Sequence, residues 1–154
     1  MALEKTRSVR KIKPRYETSS GEWVPGVTTV IGIRAKDALV NWAFNIGRNH
    51  PELPSIRQYT DELAEIGSCA HAIIGGRLKG ESPDLGDFTQ NVVDAAEIPV
   101  RKFDEWARGK TIELVASEKS YVSDAHRFGG TLDVLARIDG ALTVLDLKTG
   151  KAIY

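Results

Sequence analysis

The sequence lacks most features that would set the chain apart from an ordinary globular protein. A single cysteine, Cys69, in 154 residues excludes an internal disulfide and any metal or iron–sulfur centre built from the cysteines of one chain. No apolar run approaches the length of a membrane span, and the first residues carry no apolar signal core. We therefore expect a cytoplasmic protein without a membrane partner.

An excess of charge of one sign is also missing. The 21 lysines and arginines balance the 21 aspartates and glutamates, so nucleic-acid binding would require a local basic surface. The N-terminal arm, residues 1–15, offers one, because it holds six basic residues against Glu4 alone. Its Lys11 and Lys13 are candidate DNA contacts. The alternative interpretation is a solvated terminal tail without a specific partner.

Length and composition are typical of one domain, residues 1–154, with a substantial core. In the first two thirds of the chain, hydrophobic periodicity predicts two short strands and then three helices. The strands cover 9–16 and 22–31, and the helices cover 35–46, a stretch that begins after Ser55, and 87–106. We expect Pro99 to kink or divide the third helix.

The last third of the chain changes character. The segments ELVASEKSYVS, TLDVLARI and ALTVLDLKTG have strand patterns, with HRFGG as a loop and Asp139-Gly140 as a turn. Helices followed by a β-meander predict an α+β or three-layer domain.

The Asp139-Gly140 turn also predicts a pair of carboxylates. A two-residue type I′ turn at this point places Asp133 directly opposite Asp146 on one face of the hairpin. Opposed carboxylates repel each other, unless a divalent cation lies between them and makes both of them ligands. Lys148 shares this face, within reach of a phosphate or water at such a metal. The alternative is a plain surface ion pair between Asp146 and Lys148.

The stretch GSCAHAIIGG places His71 on a predicted helix between two glycines, Gly67 four residues before it and Gly75 four residues after it. A glycine inside a helix costs about 1 kcal/mol relative to alanine. The bare face around His71 therefore requires a reason, such as the close approach of a strand or a ligand. The alternative is a structural histidine.

These two stretches carry a resemblance to a known family. GGTLDVLARIDGALTVLDLKTGK resembles the core of RecB-type nuclease domains of the PD-(D/E)XK superfamily, which read approximately G-x-x-D, a hairpin and D-x-K-T-G. GSCAHAIIGG resembles the G-x-x-x-H helix motif of the same branch, and VPGVTTVIG with DALVNWAFNIGR is similar to the opening of phage and RecB-like exonucleases. The resemblance implies a restriction-endonuclease-like core, with a central mixed β-sheet whose C-terminal meander is flanked by the N-terminal helices.

The resemblance also implies roles for individual residues. The implied metal ligands are His71, Asp133, Asp146 and the backbone carbonyl of Leu147, and Lys148 is the implied catalytic lysine, acting with the two aspartates. Glu118 is a second-rank acidic candidate, because a hairpin centred near residues 125–126 places it opposite Asp133. A solvated glutamate is the alternative there. Further candidate DNA contacts are Arg127 and Lys151.

The function implied by the resemblance is a Mg²⁺- or Mn²⁺-dependent exonuclease of DNA recombination, repair or phage DNA processing. The implied location is the cytosol of a bacterium or of a phage-infected host cell. The alternatives are a sequence-specific endonuclease and a non-catalytic DNA-binding or assembly subunit.

Family members continue past D-x-K-T-G into a further strand and a helix with a Q-x-x-x-Y motif, which this sequence does not include. Three explanations are therefore expected. The sequence is cut short, or it is a reduced variant, or a second copy in a homo-oligomer or a partner chain completes the C-terminal part. Whether the short chain is active alone stays open at this point.

Overall fold

The computed structural model of the protein describes residues 14–32, 37–53 and 55–149. Lys11, Lys13 and Lys151, three of the predicted DNA contacts, lie outside these ranges. The elements in chain order are β1 (Tyr16–Glu17), β2 (Trp23–Val24), α1 (Val27–Ile31), α2 (Asp37–Asn49), α3 (Ile56–Lys79), α4 (Gln90–Ala107), β3 (Ile112–Ser123), β4 (Phe128–Ile138) and β5 (Ala141–Leu145). Among the described helices, none has the length and apolar character that crossing a membrane requires.

The long helix α3 begins after Ser55, as predicted, and ends at Gly80. The Ser55 hydroxyl accepts a hydrogen bond from the backbone N–H of Gln58 at 3.0 Å, and Gly80 ends the helix in the left-handed region with φ 72°. The helix runs on through Gly75 and Gly76, because the chain that follows folds back against it. A Cβ added at Gly76 would lie only 2.9 Å from the carbonyl oxygen of Glu81.

Helix α4 packs against α3 and forms the main core with it. Its predicted range is nearly confirmed, but the expected division at Pro99 is wrong, because the helix continues through that residue. Ala96 and Val100 flank Pro99 and are buried against α3, and this packing offsets the hydrogen bond that proline removes. The buried members of the core are Cys69, Ala70, Ile74, Ala96 and Val100.

The strands form two sheets, which confirms an α+β fold. Strands β3, β4 and β5 make one three-stranded sheet, and β1 pairs with β2 in a second sheet. Every strand pairing within the described ranges is antiparallel, so the mixed sheet that we predicted is not found there. A single parallel bridge joins Gly26 to Gly129.

The N-terminal strand predictions are only partly correct. Of the predicted strand 22–31, only Trp23–Val24 is a strand, and helix α1 follows it. Pro25 has no N–H for a ladder, and the Gly26 carbonyl accepts a bond from the Thr29 N–H at 2.9 Å that starts the helix. Of the predicted strand 9–16, the described part contributes only Tyr16 to β1.

The hairpin of β4 and β5 has the register that the turn predicts. Ile138 pairs with Ala141, and the ladder continues to the pair of Val134 and Leu145. Asp139 and Gly140 both have positive φ, 50° and 86°, as a type I′ turn requires. Strand β5 ends at Leu145, however, five residues before the predicted end.

The loop between β3 and β4 is shorter at its C-terminal side than the predicted HRFGG segment. Phe128 already pairs with Ser123, so Gly129 and Gly130 belong to β4. The ring of Tyr16 packs against Gly129, where an added Cβ would lie 2.4 Å from the ring. A glycine is therefore needed at this position for the two sheets to meet.

Candidate metal centre

Three elements bring a histidine and two carboxylates together. His71 on α3, Glu118 on β3 and Asp133 on β4 each offer a ligand atom, and these atoms lie within 4.8 Å of one another. The Nδ1 atom of His71 is 3.8 Å from Oε1 of Glu118 and 3.9 Å from Oδ1 of Asp133. The side chains of His71 and Asp133 are largely buried, whereas that of Glu118 is 56% exposed. The group thus opens to solvent on the Glu118 side.

The peptide of Leu147 holds two members of this group in place. Its N–H donates to Oδ2 of Asp133 at 2.8 Å, and its carbonyl oxygen lies 2.9 Å from Nε2 of His71. One backbone unit therefore orients both side chains at once. Its carbonyl, which the resemblance implied as a metal ligand, instead faces Nε2 of His71, across the ring from the Nδ1 atom that faces the carboxylates, and so lies apart from the ligand atoms of the group.

The bond to Leu147 sets the tautomer of His71. A carbonyl oxygen only accepts, so Nε2 of His71 must be the donor. In the neutral ring Nδ1 then carries the lone pair, which faces Glu118 and Asp133. Histidines that bind metals usually donate their other ring N–H to a carbonyl or carboxylate in this way.

The two sequence motifs of the resemblance meet at this point. The segment after β5 lies along α3, and the Leu147 side chain packs on the α3–α4 core. A Cβ at Gly67 would be 3.1 Å from Oγ1 of Thr149, so the bare helix surface before His71 serves the close approach of this segment. One of the two reasons that we considered for the helix glycines is thereby met at Gly67.

Glu118 lies where the predicted hairpin places it. Ser117 pairs with Val134, so the next positions along the two strands, Glu118 and Asp133, are opposite each other. Glu118 has φ 50° within β3, a conformation that costs a residue other than glycine roughly 1–3 kcal/mol. Backbone strain of this kind is often concentrated at functional sites.

Asp146 and Lys148 are placed differently from the prediction. Their side chains are 63% and 70% exposed and form an ion pair with each other, on the solvent side of the chain that leaves β5. Asp133 does not face Asp146 in a ladder, because its carboxylate binds the Leu147 N–H and the strand has already ended. In the described part of the chain, the group within ligand distance contains Glu118 and not Asp146.

Arg127, a predicted DNA contact, forms an ion pair with Glu22. Hydrogen bonding to Arg127 and its positive charge lower the pKa of the Glu22 carboxyl group. This pair ties the β3–β4 loop to the turn between β1 and β2, together with the bond from the Ser19 N–H to Asp124 at 3.0 Å. The guanidinium of Arg127 thus has a structural partner.

Two cavities adjoin the group, one on each side of His71. The first, of about 240 Å³, extends toward the C-terminal end of α3, and its lining includes Gly75, Gly76 and Lys79 besides His71, Glu118 and Asp133. The second, of about 320 Å³, extends the other way past Ser68 to Gly67 and Ala64. Lys79, about two helical turns after His71, was not among the site residues predicted from the sequence.

Comparison of the chain with protein-family models, with curated protein sequences and with solved structures finds no match.

Proposed function

We propose that the chain is a divalent-metal-dependent deoxyribonuclease of the exonuclease type. The observation that carries the proposal is the group of His71, Glu118 and Asp133, which converges around the peptide of Leu147 and adjoins a cavity. Structural histidines and solvated carboxylates do not require such an arrangement. The resemblance of the two motifs that meet there to RecB-type nucleases supplies the substrate class.

The donor set suits a hard divalent cation. The two carboxylates are oxygen ligands of the kind that Mg²⁺ and Mn²⁺ take, and imidazole is acceptable to Mn²⁺. When bound, such a cation supplies Lewis acidity toward a phosphodiester. Two formal negative charges from Glu118 and Asp133 would be balanced by its two positive charges, which removes the repulsion between these carboxylates.

The residues of the chain have distinct parts in this proposal. His71, Glu118 and Asp133 hold the cation, and the Leu147 peptide keeps His71 and Asp133 in orientation. The resemblance assigns Lys148 to orienting or deprotonating the attacking water, and Asp146 to the metal. For either role, these two side chains have to separate and turn toward the group.

The mutual pair of Asp146 and Lys148 favours a second candidate function. If the pair persists when metal is bound, the chain keeps a metal centre but has no catalytic lysine at it. A non-catalytic DNA-binding or assembly subunit would then be the better description. The two candidates differ in cleavage, and not in binding.

A nuclease assay separates them. Linear single-stranded, linear double-stranded and circular DNA are incubated with the chain in Mg²⁺, Mn²⁺ or EDTA. We expect linear DNA to be degraded in Mg²⁺ or Mn²⁺ but not in EDTA. We expect Asp133→Asn and Lys148→Ala to abolish this activity. Asp139→Asn is the matched control, because it removes a carboxylate from the same hairpin at a position where asparagine tolerates the positive φ.

Cleavage of circular DNA would point to an endonuclease instead. DNA binding without cleavage in either metal would favour the binding subunit. Cleavage that is unchanged in Asp133→Asn would remove the site from the mechanism altogether.

A further inference from the structure

We propose that Lys79 binds a second phosphate of the nucleic-acid strand, next to the phosphate held at the group of His71, Glu118 and Asp133. The inference rests on the proposed function and deepens it, since it assigns a substrate-positioning residue that the sequence motifs do not include. Lys79 and the three side chains of the group line one continuous cavity of about 240 Å³.

The direction of the Lys79 side chain follows from helix geometry. Lys79 lies eight residues after His71 on α3, which is about 12 Å along the axis at 1.5 Å per residue. Side chains on a helix lean toward its N-terminus, so Lys79 covers the preceding turn rather than its own. Its ammonium group is therefore carried back toward His71.

The turn that Lys79 covers is bare. Gly75 and Gly76 both line the cavity, and a Cβ added at Gly75 would meet nothing within 4 Å. The helix thus leaves room between His71 and Lys79 for a group as large as a phosphate. Close packing accounts for Gly76, but no neighbouring atom accounts for Gly75.

Charge also distinguishes Lys79 from its neighbour in the last turn. Arg77 forms an ion pair with Asp104, whereas no ion pair in the described part of the chain involves Lys79. With a dication balancing the charges of Glu118 and Asp133, the ammonium group of Lys79 gives the cavity a net positive charge. A lysine ammonium binds phosphate as a compact point charge with three donors.

A favourable interaction with the C-terminal end of the helix dipole is the structural explanation for a lysine at this position. That explanation predicts an effect of Lys79 on folding alone. It does not predict an effect on DNA binding that depends on metal. The two explanations are therefore separable by experiment.

The test measures binding of a short fluorescein-labelled single-stranded oligonucleotide by anisotropy, in Mn²⁺ and in EDTA, over a series of salt concentrations. The variants are Lys79→Gln, Lys79→Arg and Lys102→Gln, each made in a Lys148→Ala chain so that the oligonucleotide is not cleaved in Mn²⁺. Lys102→Gln is the matched control, because Lys102 is an exposed lysine of α4 that pairs with Glu105 outside the cavity. Affinity for Mn²⁺ alone is measured in parallel by calorimetry.

In Mn²⁺ we expect Lys79→Gln to weaken oligonucleotide binding roughly five- to tenfold and to reduce the salt slope by about 0.7, the value for one phosphate contact on a single strand. The loss should be similar for different base sequences. Lys79→Arg and Lys102→Gln should bind like the Lys148→Ala chain without a further substitution, and all variants should retain their affinity for Mn²⁺.

Three results would overturn the inference. Equal binding by Lys79→Gln and Lys102→Gln removes Lys79 from the site but leaves the proposed nuclease intact. A loss of the same size in EDTA means that Lys79 attracts DNA independently of the metal group. If the unmodified chain neither binds Mn²⁺ nor cleaves DNA, the proposed function fails, and the inference fails with it.

Discussion

His71 takes its orientation from the backbone of a distant segment rather than from its own helix. Leu147 is 76 positions away in the sequence, yet its carbonyl lies 2.9 Å from Nε2 of His71. A side chain fixed in this way needs no rearrangement to present Nδ1 to the carboxylates. Preorganisation of a ligand by its outer partners is a common feature of metal sites.

At Glu118 the proposed metal-binding role and the stability of the fold make opposite demands. Its carboxylate faces His71, and its backbone has φ 50° in the middle of a strand. Asparagine tolerates this left-handed region better than glutamate does. It also removes one of the two adjacent negative charges.

We therefore predict that Glu118→Asn raises the free energy of unfolding by up to about 1 kcal/mol in EDTA and weakens Mn²⁺ binding. Urea unfolding and calorimetry measure the two effects. Glu113→Asn is the matched control on the same strand, where the positive φ is absent, and it should not stabilise the protein. A Glu118→Asn variant that is less stable than the unmodified chain in EDTA would contradict the strain argument.

The adjacent glycines Gly75 and Gly76 of helix α3 have different surroundings. Gly76 admits the chain that folds back over the helix, since an added Cβ would lie 2.9 Å from Glu81 O and from Cδ of Pro83. At Gly75 the added Cβ would enter open space at the cavity. The two positions form a matched pair for mutation within one helix.

Gly75→Ala should stabilise the protein by about 0.5–1 kcal/mol, because alanine is the better helix former and meets no clash. Gly76→Ala should destabilise it, since backbone atoms have to move. Thermal and urea unfolding measure the change in stability of each variant. Equal effects of the two substitutions would show that the chain after α3 does not pack as described.

Local rules predicted the elements well where turn chemistry determines them. The Asp139-Gly140 turn determines the pairing of β4 with β5, and Ser55 begins α3 as predicted. The end of α3 at Gly80 was not predicted. The end of β5 was not predictable from the pattern, because ALTVLDLKTG alternates throughout. The ladder ends where the Leu147 N–H instead donates to the Asp133 carboxylate, which is a tertiary contact.

At the scale of the whole molecule, the predicted and the observed groups share two residues and differ in one carboxylate. His71 and Asp133 come together as predicted, and Glu118 completes the group where Asp146 was preferred. The hairpin register contained the information for Glu118. The exposed position of Asp146 depends on how the last segment docks on α3, which no local pattern encodes.

The segment after β5 joins the α3–α4 helices to the three-stranded sheet. The segment that carries Leu147 packs on the helical core through its side chain and bonds to α3 and β4 through its backbone. The candidate centre lies at this junction, so its geometry depends on the helices and the sheet together. Metal binding should accordingly stabilise the fold as a whole.

The most direct test of the account is Mn²⁺ binding by calorimetry to the unmodified chain, Asp133→Asn and Asp139→Asn. Asparagine at 133 can still accept the Leu147 N–H, so the substitution removes charge while sparing the orientation. We predict one Mn²⁺ per chain, an affinity at least about tenfold lower in Asp133→Asn, and no change in Asp139→Asn. Equal Mn²⁺ affinity in the unmodified chain and Asp133→Asn, or no binding to either, would contradict the claim that His71, Glu118 and Asp133 form a metal centre.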